Sequence, residues 1–343
     1  MTDQIKTLPK AELHVHIEGT IAPDVYQRIA ARNGKSIPEG FVLPDGKGYR
    51  WGDFVEFLDA YDRVADCLKT PEDYAEITHD YLIRSAAEGV IYTEFIISPD
   101  HADLIGLGFD GMLDGINAGA DRAEKETGII ARLNVTAVRH FDHAQSIRAA
   151  ELAAKAAGGN RRVVGFGLAG NEIDFPARDF ARAFDIAREA GLGLHCHAGE
   201  AAGPESIIEA LDILKVQRIG HGVRAIEDPK LMQRLAAERI PLEVCPSSNI
   251  ATQVFPSMKD HSLPKLVKAG IPCTLSSDDP PFFNCTPGGE YRIAHEVMGM
   301  KRSELLDMTR AAIDHAFCDA ATRARLEARY KAMLGSDTPK PPL

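Results

Sequence analysis

The sequence predicts an α/β chain folded as a (β/α)8 TIM barrel, with extra helices between strands one and two and at the C-terminus. Three observations carry that reading. Apolar runs of strand length alternate with helical segments eight times along 343 residues, each unit about as long as one βα repeat. Four runs end in residues that can ligate a metal or move a proton: Glu12-Leu13-His14-Val15-His16, Leu194-His195-Cys196-His197, Arg218-Ile219-Gly220-His221 and Leu275-Ser276-Ser277-Asp278-Asp279. Strand C-termini gathered at one mouth would produce that pattern. The position after the first run, which in an open doubly wound sheet carries a glycine-rich phosphate loop, holds His14-Val15-His16-Ile17-Glu18-Gly19 instead.

In chain order, residues 11–17 form the first strand, residues 20–33 a helix closed near Asn33-Gly34, and residues 34–50 a loop rich in Gly, Pro and Lys. From Trp51, apolar Phe54, Val55, Leu58 and Tyr61 recur at helical spacing, which suits a helix packed on the core or a lid over the strand ends. Helix 71–88 starts at Pro71 and stops at Gly89 before the second strand, 90–97. A loop with Gly106 and Gly108, helix 110–126 and the third strand, 130–138, follow. Helix 144–157 precedes the fourth strand, 163–168, and helix 177–190 the fifth, 192–197. The sixth strand is 218–221 after helix 204–214, the seventh 241–245 after helix 228–238, and the eighth 271–277 after helix 262–269. Closing helices span 289–335. The whole chain, 1–343, is expected to be one domain with 336–343 a frayed tail.

Composition narrows the function. Thirty-nine Lys and Arg against 50 Asp and Glu leave a net charge of −11, which disfavours nucleic acid and anionic membrane as partners and suits a small neutral substrate. Six cysteines without CxxC spacing read as reduced thiols. With no apolar signal region at the start and no run long enough to span a bilayer, a cytoplasmic protein is expected.

Residues two apart on a strand face the same side, so His14 and His16 point together into the mouth. With His197 on strand five and Asp278 on strand eight they make a nitrogen and oxygen set suited to zinc or a similar divalent ion. The fourth strand lacks a lysine that could bridge two metals, so one ion per chain is expected. A bound ion lowers the pKa of its water from 15.7 to about 7. His221 is placed to take that proton, Glu200 to act as a second proton carrier, and Asp279 to face the substrate or the water. Taken singly, Asp278-Asp279-Pro280 also reads as a helix N-cap, His221 as a core histidine and Glu200 as a helix-start carboxylate. His101, His140, His143, His261, His295 and His315 end no strand and are expected at the surface or in packing. His195, one layer below His197, is expected to hydrogen-bond within the core.

Together the set resembles the adenosine deaminase family of amidohydrolase-type barrels. The matching stretches, in family order, are Leu8-Pro9-Lys10-Ala11-Glu12-Leu13-His14-Val15-His16, Leu168-Ala169-Gly170-Asn171-Glu172, His197-Ala198-Gly199-Glu200, Arg218-Ile219-Gly220-His221-Gly222, Glu243-Val244-Cys245-Pro246-Ser247-Ser248-Asn249 and Ser277-Asp278-Asp279-Pro280. The resemblance implies zinc on His14, His16, His197 and Asp278, and His221 orienting and deprotonating the water. It implies Glu200 protonating purine N1, Asp279 bonded to N7 and the Gly170 N–H facing N3, with Glu18 and His16 also against the substrate. Hydrolytic deamination of a 6-aminopurine would follow. The Leu168 to Glu172 segment resembles the adenosine branch and puts adenosine or 2′-deoxyadenosine first, with adenine, or another nucleoside such as aminodeoxyfutalosine, as the alternative. Two positions depart from the adenosine pattern: Glu18 stands where many members have aspartate near the ribose, and Gly167 where an aspartate often precedes Leu-Ala-Gly. A noncatalytic purine-binding barrel and an ester or lactone hydrolase are the remaining readings, the latter disfavoured by the missing bridging lysine.

Overall fold

In a computed structural model that describes residues 5–336, eight parallel strands lie in the order of the chain. They are β1 (Lys10–His16), β2 (Val90–Ile97), β3 (Ile130–Val138), β4 (Val163–Ala169), β5 (Gly193–Ala198), β6 (Arg218–His221), β7 (Leu242–Val244) and β8 (Cys273–Leu275). Each strand pairs in parallel with the next. Just beyond β8 the ring closes onto β1: Asp278 N–H donates to His14 O at 3.2 Å and His16 N–H to Asp278 O at 3.0 Å. The strands are covered by barrel interior on one side and helices on the other, which explains why they read as continuous apolar runs; β2 is buried at every position.

The helices begin and end where the sequence places stop signals. Pro71–Ala87 opens on a Thr70 capping box closed by Asp73. Asp53 caps Phe54–Ala65 by accepting from Val55 and Glu56 N–H. Phe109–Thr127 ends at the left-handed Gly128. Two elements lay hidden in the sequence. The expected loop after β2 contains a helix, Pro99–Leu104, capped by Ser98, and a further helix, Pro246–Ala251, follows β7. Helix 204–214 proves to be a helical turn and a half, Pro204–Glu209, continued by a wider π-type turn over Ala210–Leu214. Ser336, expected in a frayed tail, instead ends the helix Ala320–Ser336; the rest of that expected tail, 337–343, lies outside the described residues. Among the described residues no helix is long and apolar enough to cross a membrane.

Strand registers decide what faces the site. His14 and His16 sit at the C-terminal end of β1, His197 near the end of β5 and His221 at the end of β6. Asp278 follows β8 by three residues, carried there by the extended closure segment.

Candidate active site

The strand C-termini open into a cavity of about 150 Å³ whose wall includes His16, Glu18, Gly170, His197, Glu200, His221, Asp278 and Asp279. Every residue expected at the site except the deeper His14 therefore borders this space, and His14 is fully buried directly beneath it. Both expectations for the helix Phe54–Ala65 are met: Phe57, Ala60, Tyr61 and Val64 pack into the core, and Phe57, Leu58, Tyr61 and Asp62 close one side of the cavity.

Ligand atoms of His14, His197, His221 and Asp278 all lie within 4.8 Å of one another. His14 Nε2 is 3.3 Å from Asp278 Oδ1, and His16 Nε2 is 3.4 Å from the same oxygen and 3.3 Å from His197 Nε2. The outer ring nitrogens are already committed: His14 Nδ1 donates to Glu243 Oε2 at 2.9 Å and His197 Nδ1 to Leu168 O at 3.1 Å. Their Nε2 lone pairs therefore point inward, and His14 Nε2 has no hydrogen-bond partner.

The electrostatics of the cluster call for a cation. Burial holds His16 down at about 4 and His221 at about 3, and burial with crowding by His14 holds His197 well below the usual imidazole range. Burial also works to lower His14, but the Asp278 carboxylate facing Nε2 and the Glu243 carboxylate bonded to Nδ1 overcome it and lift the imidazole to about 10. Asp278 feels burial upward, yet its hydrogen bond to His14 and the charge of His221 keep it well below the ordinary carboxylate range. His16, His197 and His221 are thus neutral around an ionised Asp278, and a divalent ion fits in place of the proton that His14 otherwise holds toward that carboxylate.

Two of these residues sit where the backbone is strained: His221 and Asp278 have φ of +58° and +61°. Such angles in residues with a Cβ cost about 1–3 kcal/mol and concentrate at functional sites.

On the other side of the cavity, Glu200 Oε2 lies 3.5 Å from His221 Nε2. Burial, with Asp278 and Glu172 nearby, pushes the Glu200 carboxyl up to about 8, so at neutral pH it keeps a proton to donate. Glu172 fixes the loop that carries it by accepting from the N–H groups of Glu200, Ala201 and Ala202 at 3.1, 2.9 and 3.0 Å, and from Gly199 N–H and the Ser206 hydroxyl. Burial and the charge of Asp278 raise Asp279 well above the usual value, and its Oδ1 has no partner. A neutral carboxyl can donate to an acceptor nitrogen. Gly19 makes room for it: a Cβ there would overlap Oδ1 and lie 2.7 Å from the Asp279 Cγ. Asp279 caps no helix; its carbonyl receives the N–H groups of Phe282 and Phe283.

Several functional contacts were not legible as such. His101 and His140, expected at the surface or in packing, instead border the cavity, and His101 Nδ1 lies 3.6 Å from Glu18 Oε2. His101 belongs to the unforeseen helix Pro99–Leu104, whose N-terminus turns it inward. The buried His261 contacts Asn249, whose amide in turn meets His221 Nδ1 at 3.3 Å. His195 is fully buried below His197, 3.6 Å from Glu243 Oε2, as expected of a core residue. The charged Glu12, Glu94, Arg218 and Glu243 inside apolar strands were the available signal, since an unpaired charge in such a strand is prohibitive. Glu12 receives the Ser277 N–H at 2.8 Å and the Ser277 hydroxyl at 2.6 Å, fixing the segment next to Asp278.

The family model described as adenosine deaminase matches residues 9–332. An adenine deaminase from Rhizobium rhizogenes is 48% identical over 329 residues, 96% of this chain and 100% of that protein. The crystal structure of adenine deaminase from Arthrobacter aurescens superposes with a TM-score of 0.88 at 31% identity, over 96% of this chain and 99% of the other. An amidohydrolase from Burkholderia ambifaria with bound Zn superposes with a TM-score of 0.87 at 25% identity, covering 98% and 94%.

Proposed function

Because this chain belongs to the adenosine deaminase family, whose members are metal-dependent aminohydrolases, we propose that it is a zinc enzyme that deaminates adenine to hypoxanthine and ammonia. Deamination of a 6-aminopurine is common ground among its relatives; the choice of adenine rests on one local observation. Both carboxylate oxygens of Glu18 are already engaged: Tyr61 OH donates to Oε2 at 3.0 Å, Tyr74 OH to Oε1 at 2.9 Å, and His101 stands beside them. Two tyrosine hydroxyls and the His101 ring crowd this carboxylate, which supports a closed wall where a sugar would have to lie. Gly167 supports the same conclusion, since a Cβ there would overlap the His195 ring, so no side chain can reach a ribose from that position. The order expected from Leu168 to Glu172 is thereby reversed, with adenine ahead of adenosine, in agreement with the names of the closely similar relatives.

In this reading His14, His16, His197 and Asp278 hold one zinc ion, which supplies Lewis acidity that makes water a nucleophile near neutral pH. His221, neutral and beside Glu200, orients the attacking water and accepts its proton. Glu200 gives its proton to N1, which draws electrons from C6; Asp279 in its neutral form donates to N7, and the Gly170 N–H faces N3. The water oxygen bonds to C6, the proton held by His221 passes to the amino group, the C6–N6 bond breaks and ammonia leaves; the remaining C6 hydroxyl proton returns to the Glu200 carboxylate, leaving a 6-oxo group beside N1–H. His16, on the mouth side of the ligand set, borders the bound base.

Following the loss of ultraviolet absorbance with adenine, adenosine and 2′-deoxyadenosine in parallel tests the proposal. Adenine is expected to turn over with kcat/KM at least about a hundredfold higher, the discrimination produced when a bulky substituent meets a closed polar wall. Equal or faster turnover of the nucleosides would overturn it.

A further inference from the structure

A continuous set of buried contacts leads from His14 to the opposite end of the barrel. His14 Nδ1 donates to Glu243 Oε2 at 2.9 Å, and Glu243 Oε1 lies 2.6 Å from Arg218 Nε. Arg218 Nη2 donates in turn to Glu94 Oε2 at 2.6 Å. Glu94 is then held by Asn134 Nδ2 at 2.9 Å and by Tyr92 OH and the Phe317 N–H, each at 2.7 Å. The Phe317 ring lies under the Arg218 guanidinium, 3.6 Å from its centre to Cζ, and Arg218 Nη1 donates to His315 O at 3.0 Å. Glu94, Arg218 and Glu243 are all fully buried.

Removing three charges from water is costly, and a well-packed apolar core would be at least as stable. Their formal charges also fail to cancel. Two carboxylates flank one guanidinium, and the excess negative charge lies on the contacts that end at His14.

We propose that Arg218 and Glu94 are positioning residues for His14, acting through Glu243, and that the closing segment 315–317 is part of the same device. Arg218 divides its charge between two carboxylates. With Glu94 ionised, Glu243 keeps enough negative charge to pull on the His14 N–H and make Nε2 a stronger donor toward a cation. With an uncharged amide at position 94, the full guanidinium charge falls on Glu243 and that pull weakens. Phe317, stacked on the guanidinium, fixes the geometry in which the division occurs.

This inference rests on the reading that His14 is a metal ligand. The measurement is the zinc dissociation constant of the folded protein, obtained by competition with a chromophoric chelator, with Tm recorded alongside. E94Q is nearly isosteric and is expected to weaken zinc binding about tenfold. Y92F removes one hydrogen bond to Glu94 while keeping its charge, so it should lower Tm and leave zinc affinity within about twofold of the parent. F317L, which loses the stacked ring, is expected to weaken zinc binding about threefold or more, and it carries the test if E94Q does not fold. E94Q or F317L with parental zinc affinity, or E94Q and Y92F weakened equally, would overturn the positioning role while leaving the metal site intact. A parent protein that takes up no stoichiometric zinc would overturn the site reading and this inference together.

Discussion

Gly19 offers a clean way to move Asp279 without touching it. Adding one methyl in G19A sets a Cβ over Asp279 Oδ1 and within 2.7 Å of its Cγ and 3.0 Å of its Cβ, all inside van der Waals contact. The carboxyl is buried on every side, so it must swing away from its place in the cavity wall. What is lost is one hydrogen bond from that carboxyl to the base, worth about 1.5–3 kcal/mol for a buried, polarised pair. At about 1.4 kcal/mol per factor of ten, kcat/KM for adenine should fall about 10- to 150-fold. Zinc content should stay at parental level, since the clash is with Asp279 and not Asp278. Steady-state assays of G19A, D279A and the double variant, with metal analysis of each, check this. The double variant should be hardly worse than D279A alone, because both changes act on one contact. Parental kcat/KM in G19A, or additive losses in the double variant, would refute this use of Asp279.

Three further outcomes are expected. Glu200 donates only in its protonated form, which is lost as pH rises through about 8, so kcat/KM should fall on the alkaline side with a midpoint near there. E200Q should abolish that limb along with about a 10²- to 10⁴-fold drop in rate at unchanged zinc content, whereas a parental profile flat through and above pH 8 would contradict the assignment. Deleting the Glu172 carboxylate in E172A strands the buried Gly199 N–H at about 1–3 kcal/mol and releases the part-buried N–H groups of Glu200, Ala201 and Ala202 from their anchor. The melting temperature should drop by several degrees and kcat with it; calorimetry showing parental Tm would argue against that anchor. Stripping the metal with a chelator should abolish turnover and lower Tm, with both restored by added zinc, and full activity after removal would defeat the metal reading.

The barrel and its mouth were legible because their signals are local. Each strand is a short apolar run bounded by turn chemistry, and His14, His16, His197, His221 and Asp278 sit at or just past strand ends where position alone implies orientation. Pairings between distant residues were not legible. That Tyr61, Tyr74 and His101 converge on Glu18, which stands where many relatives have aspartate, follows from no spacing in the sequence. His101 was misplaced because its helix, six residues long, carries too few apolar positions to show a period. Glu94, Arg218 and Glu243 stand on three strands far apart in the chain, so each looked like an isolated charge whose partner no spacing rule could supply.

The residue that offers the site a carboxylate also shuts the ring, because Asp278 trades backbone hydrogen bonds with His14 and His16. In the proposed site the fourth ligand would therefore arrive only with ring closure, which joins the first strand to the segment after the eighth. A ribosome-bound chain that stops short of Asp278 holds His14, His16 and His197 but not the carboxylate that completes the set. On the proposed ligand set, the complete metal site would exist only once synthesis has passed Asp278 and the last strand has closed on the first.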